Sequence, residues 1–206
     1  MIKNIIFDIG NVLVNFRYKD YCRDLGMDEA TVEAVAKAMP ENENWNKLDA
    51  GEASQEVLVE MFKSKNPDLT EQIDLFWKDL TEIVRSFPRS KEWLCELKGR
   101  GYGIYLLTNY PEEMFALHCK TQFTFLDYVD GMVVSSHCKL IKPDERIYTT
   151  LMSKYNLIAS ECVFLDDRAV NTAAAASLGM KTITVTSPEQ ARLALDELLE
   201  ADRERG

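Results

Sequence analysis

Residues 3–16 read KNIIFDIGNVLVNF, and the first half of that stretch decides the fold. The run Ile5-Ile6-Phe7 has the length and the β-branched content of a buried strand. It stops at a bare carboxylate, Asp8, and Gly10 follows at the next-but-one position. A buried strand that ends on an acid makes the residues at every other strand end worth locating.

Short apolar runs recur at Tyr102–Thr108, Gly131–Ser135, Cys162–Asp166 and Lys181–Thr186. Helical stretches follow most of them, at Pro111–Lys120, Pro143–Tyr155, Val170–Leu178 and Pro188–Asp202, and Ser90–Arg100 closes at Gly101, a C-terminal stop. Such alternation predicts an α/β protein, with a Rossmann-like parallel-sheet core and helices on both faces. Residues 17–85 break the pattern, because only helical periodicity runs through them, as in Val57-Leu58-Met61-Phe62 and Ile73-Phe76-Trp77-Leu80. The chain is therefore expected to divide into a core of residues 1–16 plus 86–206 and an inserted helical cap of residues 17–85. Within that insert the polar interval 40–56 predicts a turn at Gly51 and a helix N-cap at Ser54.

Composition narrows the function classes. A chain of 206 residues with 46% hydrophobic and 28% charged content matches an ordinary soluble protein. No apolar stretch reaches the roughly 20 residues of a membrane helix, and the first residues lack a signal-peptide pattern, so the expected location is cytoplasmic. A net charge of −10 repels nucleic acid and anionic membranes but not a small anion met by local cations. The five cysteines are scattered without CxxC spacing, which predicts reduced thiols rather than a zinc site. The two histidines, His118 and His137, have no catalytic neighbours in sequence and are expected to pack or to face solvent. A monomer or small homo-oligomer is expected.

Ligands of a parallel sheet bind beyond the carboxyl ends of its strands. Those ends carry Asp8, Thr108-Asn109 and the pair Asp166-Asp167, with Lys142 in the loop before Pro143. Carboxylates, a hydroxyl, an amide and an ammonium thus converge on one edge. Two acids beside Asp8 need a counter-charge, and Mg²⁺ with hard oxygen ligands answers that need.

The motifs FDIGNV, LLTN, KLIKPDERIY and FLDD, in this order, resemble the four motifs of the haloacid dehalogenase-like hydrolase superfamily, and the helical insert falls where that superfamily keeps its C1-type cap. The GNV and DERIY variants are most similar to a bacterial branch of small sugar-phosphate phosphatases that includes glucose-1-phosphate phosphatase. The resemblance implies a Mg²⁺-dependent phosphatase acting on a small phosphorylated metabolite. It makes Asp8 the nucleophile that forms an aspartyl-phosphate, and Lys142 the cation that relieves repulsion between that carboxylate and the substrate. It gives Thr108, Asn109 and Lys142 to the phosphoryl oxygens, with Asn11 as a further hydrogen-bond donor to substrate. The metal falls to Asp8, the Gly10 carbonyl and Asp167, with Asp166 as a further ligand or as the partner of Lys142, and Asn171 orients the acidic pair. Dehalogenases of the superfamily lack that pair, so FLDD favours phosphoryl chemistry.

Gly10 is the departure. Most phosphatases of the superfamily carry there a second Asp, which protonates the leaving oxygen and then activates water. Proton transfer of this kind contributes roughly 10²–10⁴-fold, while positioning and charge stabilisation supply most of phosphoryl transfer. Glycine also opens loop geometries closed to other residues. Three outcomes follow: a working phosphatase with a good leaving group or another acid, a protein that binds a phosphometabolite or partner without turnover, or a phosphotransferase that keeps the phospho-Asp. A replacement acid from the insert would be Asp49 or Glu52, in LDAGE. Trp45 and Trp77 are expected in the core, with stacking on a sugar as the alternative.

Overall fold

The computed structural model describes residues 1–204; residues 205–206 of the expected core lie outside the described residues. Five parallel strands form the central sheet: β1 (Asn4–Phe7), β4 (Gly103–Thr108), β5 (Gly131–Val134), β6 (Cys162–Asp166) and β7 (Lys181–Thr184), in the order β5-β4-β1-β6-β7. Parallel registers put Phe7 beside both Leu106 and Leu165, so the carboxyl ends of β1, β4 and β6 lie level. β1 ends at Phe7, which leaves Asp8 as the first residue of the loop, although its N–H still donates to Leu165 O at 2.9 Å.

Alternate residues of each strand feed opposite faces, as a period of two requires. Ile5 and Phe7 join Val163 and Leu165 on one face, packed by α6 (Ser90–Gly99) and α11 (Pro188–Arg203). Ile6 joins Phe164 and Cys162 on the other, packed by α9 (Glu145–Tyr155) and α10 (Ala169–Ser177). Helix α7 (Glu112–Thr121) follows β4, and the short α8 (Ser135–Cys138) follows β5. The sheet and its two helical layers match the expected α/β class.

Two further strands, β2 (Val14–Phe16) and β3 (Val84–Ser86), pair antiparallel with Val14 opposite Ser86 and Phe16 opposite Val84. They carry the chain out of the sheet and back at adjacent points. Between them lie α1 (Tyr18–Asp24), α2 (Glu29–Ala38), α3 (Trp45–Asp49), α4 (Gln55–Lys65) and α5 (Thr70–Trp77). Periodicity reads the region as helical throughout, but residues 84–86 are a strand; three residues are too few for a period of two to show. Asp28 and Ser54 cap α2 and α4, accepting from Thr31 N and Val57 N. Gly51 ends α3 with φ +62°, the left-handed conformation that glycine adopts without a Cβ penalty.

The insert is fastened to the core. His118 on α7 is buried, with Tyr110 Oη at 2.7 Å from Nδ1 and Leu80 O at 2.8 Å from Nε2. It is a packing residue, as expected, and burial lowers its pKa. His137 is exposed, with its ring edge-on to Phe115. All five cysteines are free, with Cys22 and Cys162 buried. Among the described residues no helix is long and apolar enough to cross a membrane.

Candidate active site

The loop after β1 is wound around one carbonyl: Ile9 O accepts from Val12, Leu13 and Val14 N–H. The left-handed residue in this loop is Asn11, at φ 55°, and not Gly10. Asparagine tolerates that conformation because its side chain bonds locally. Here Asn11 Oδ1 accepts from Phe16 N at 3.2 Å, and Nδ2 donates to Asp167 Oδ2 at 3.0 Å. A Cβ added at Gly10 would meet nothing within 4 Å. Neither backbone geometry nor crowding demands glycine there, which corrects the conformational reason given for it from sequence.

Lys142 is the hub of the site. It is 2% exposed, and its Nζ lies 2.6 Å from Asp166 Oδ2, 2.8 Å from Leu107 O and 3.0 Å from Asp8 Oδ1. Burial opposes its charge, but Asp8 and Asp166 more than offset that and hold its pKa above the usual lysine value. Asn109 fixes the loop that presents it, with Oδ1 accepting from Lys142 N and Nδ2 donating to Lys142 O. One amide hydrogen of Asn109 is left for a ligand. Thr108 Oγ1 is buried and has no hydrogen-bond partner.

The two acids of FLDD part company. Asp166 is fully buried and accepts from Lys142 Nζ, Arg168 N and Asn171 Nδ2, which makes it the partner of Lys142. Asp167 faces the cavity, tied to Asn11. Carboxylate oxygens of Asp8, Asp166 and Asp167 all lie within 4.8 Å of one another. Burial, aided by Asp166 and Asp167 against Lys142, raises the pKa of Asp8 to about 7; burial also raises that of Asp167. Three carboxylates against one ammonium leave an excess of negative charge and a set of hard oxygen donors. That donor set fits a divalent cation such as Mg²⁺, which would restore Asp8 to its ionised form.

Above these residues opens a cavity of about 280 Å³ lined by Asp8, Gly10, Asn11, Asn109, Lys142, Asp167 and Asn171 from the sheet edge. The insert contributes Pro40, Trp45, Asn46 and Asp49, and the antiparallel pair β2–β3 adds Phe16 and Val84. Trp45 both packs and lines: it stacks on Trp77 at 5.6 Å and forms part of the wall, whereas Trp77 donates to Met39 Sδ behind it. Sequence reasoning missed Arg168, Tyr110 and Phe16 as wall residues. Arg168 directly follows FLDD, and Phe16 closes the opening stretch, but no spacing rule marks either.

The strand ends of this Rossmann-like sheet thus gather three carboxylates and a buried lysine beneath a helical insert. The family model of haloacid dehalogenase-like hydrolases matches residues 2–179, and the chain belongs to that family. It is 26% identical over 188 residues to the sesquiterpene phosphatase astK of Aspergillus oryzae, covering 89% of this chain and 90% of that one. It is 24% identical over 194 residues to the D-ribitol-5-phosphate phosphatase of Bacteroides thetaiotaomicron, covering 88% and 91%. A solved structure of a HAD family enzyme from Bacteroides thetaiotaomicron, in complex with magnesium and inorganic phosphate, superposes with a TM-score of 0.71 at 22% identity, covering 91% of this chain and 96% of that one.

Proposed function

We propose that this protein is a Mg²⁺-dependent phosphatase of a small phosphorylated metabolite, such as a sugar phosphate, and that residues 17–85 act as its cap. The observation that carries the reading is the cluster of Asp8, Asp166 and Asp167 around Lys142 at the open end of the sheet. It suits phosphoryl rather than halide chemistry, because a metal-free displacement has no use for two further carboxylates beside its nucleophile. The relatives' names add support: both are phosphatases, one named for a sesquiterpene and one for a sugar-alcohol phosphate.

Asp8 attacks phosphorus and forms an aspartyl-phosphate, which water then hydrolyses; covalent catalysis splits one hard step into two. Lys142, locked by Asp166 and Leu107 O, holds Asp8 in place and offsets its repulsion from the phosphoryl group. Thr108 Oγ1, the free amide hydrogen of Asn109 and Arg168 at the rim receive phosphoryl oxygens or other acceptors of the substrate. A Mg²⁺ held by Asp8, Asp167 and the Gly10 carbonyl would neutralise charge on the transferring group. Asn11 keeps Asp167 turned toward that position.

The test is phosphate release from sugar phosphates and para-nitrophenyl phosphate, with Mg²⁺ or EDTA, beside Asp8→Asn. Turnover that needs Mg²⁺ and Asp8 is expected. Gly10 favours a second reading, binding without turnover; absence of release, with phosphate still raising the melting temperature, would establish it.

A further inference from the structure

Gly10 removes a proton donor, and the open space at its Cβ position leaves nothing on the β1 loop to replace it. The cavity has three carboxylates in its wall: Asp8, Asp167 and Asp49. Asp8 is the nucleophile of the proposed reaction, and Asp167 is tied to Asn11 on the cation side. Asp49 alone is uncommitted, since among the described residues its carboxylate makes no hydrogen bond or ion pair. Glu52, the other acid considered from sequence, is exposed and lies outside this cavity.

Asp49 is also held in place. Ser135 Oγ, which accepts from Tyr110 N, donates to the Asp49 carbonyl and so ties the end of α3 to the core. Two residues on, the Gly51 backbone lies against Ser136 so closely that a Cβ would come 2.7 Å from Ser136 O. The insert thereby presents one carboxyl group to the sheet edge at a fixed height.

We propose that Asp49 is the general acid–base of this enzyme, supplied by the insert in place of the side chain that Gly10 lacks, which suits the site to phosphate esters of ordinary alcohols. As Asp8 bonds to phosphorus, the P–O bond to the leaving group breaks. Its electron pair stays on the leaving oxygen, which takes the proton of the Asp49 carboxylic acid. The Asp49 carboxylate then takes a proton from the water that attacks the aspartyl-phosphate, which releases inorganic phosphate and restores both acids. Consistent with this, burial, aided by the charge of Asp8, raises the pKa of Asp49 to about 7 against Lys142 and Arg168. The inference rests on the phosphatase reading.

The experiment compares Asp49→Asn with the parent on para-nitrophenyl phosphate, whose leaving group needs no proton, and on a panel of alkyl and sugar phosphates. The expected loss in kcat/KM on the alkyl esters exceeds that on the nitrophenyl ester by on the order of 10²-fold or more. Adding Gly10→Asp to Asp49→Asn should recover alkyl-ester turnover, because an Asp there fills open space. Equal losses on both ester types would overturn the role of Asp49 and leave the phosphatase reading standing, as would a parent that cleaves only the nitrophenyl ester. A parent with no Asp8-dependent turnover on any ester would sink both. Unchanged thermal melts of Asp49→Asn exclude misfolding as the cause of a loss.

Discussion

Lys142→Met is the sharpest perturbation of the site's energetics, because it keeps an unbranched stem and deletes the ammonium, whose Nζ lies 5.4 Å from the centroid of the Phe164 ring. The ammonium is buried, donates to Asp166 and Leu107 O at 2.6 and 2.8 Å, and forms an ion pair with Asp8 at 3.0 Å. Removing one partner of a buried ion pair costs about 3–5 kcal/mol, because the other charge stays behind unpaired. Asp166 keeps Arg168 N and Asn171 as donors, which places the expected loss at neutral pH near the lower end, about 3 kcal/mol. For a chain of this length that corresponds to a melting temperature lower by roughly 10 °C. The loss depends on pH with a definite sign. Lys142 holds the pKa of Asp8 down; without the ammonium it rises further above the unfolded value, so the folded variant binds an extra proton and is favoured at low pH. Urea unfolding in EDTA should therefore show the penalty near pH 7.5 shrinking to about 1–2 kcal/mol near pH 5. A penalty below about 1 kcal/mol, or one that does not change with pH, would refute the reasoning.

Asp8→Asn should gain stability relative to the parent as pH rises from about 4 to about 7, the interval between the ordinary and the raised pKa of Asp8, by on the order of 1–3 kcal/mol; thermal melts in EDTA that keep a constant difference across that range would contradict it. Mg²⁺ should raise the melting temperature of the parent, with about 2.7 kcal/mol of stabilisation at a concentration 100 times its dissociation constant, and Asp167→Asn should lose most of that rise. Gly51→Ala should destabilise by more than Gly26→Ala under urea. Both glycines have positive φ, but a Cβ at Gly51 strikes Ser136 O at 2.7 Å while one at Gly26 meets open space; equal costs would mean the contact with α8 is soft.

Much of this was legible in the sequence because it depends on strand ends. The apolar runs place Asp8, Thr108, Lys142 and the Asp166–Asp167 pair on one edge without knowledge of side-chain positions. The division of labour between Asp166 and Asp167 was not legible, since adjacent residues at a strand end point to opposite sides and only the fold shows which side holds Lys142. The left-handed turn fell on Asn11 beside the glycine that invited that reading. The helix α3, five residues long, is too short for periodicity to register, and with it the sequence hid the reach of Asp49 and Trp45 into the cavity. Arg168 and Phe16 are wall residues by tertiary placement alone.

The central claim is that phosphate passes through the carboxylate of Asp8. Rapid acid quench of the protein mixed with para-nitrophenyl phosphate and Mg²⁺, followed by peptide mapping, tests it most directly. A phosphorylated peptide containing Asp8, present during turnover, absent with EDTA and absent in Asp8→Asn, is the expected result. Turnover that proceeds in Asp8→Asn, or phosphate found on a different residue, would contradict the account.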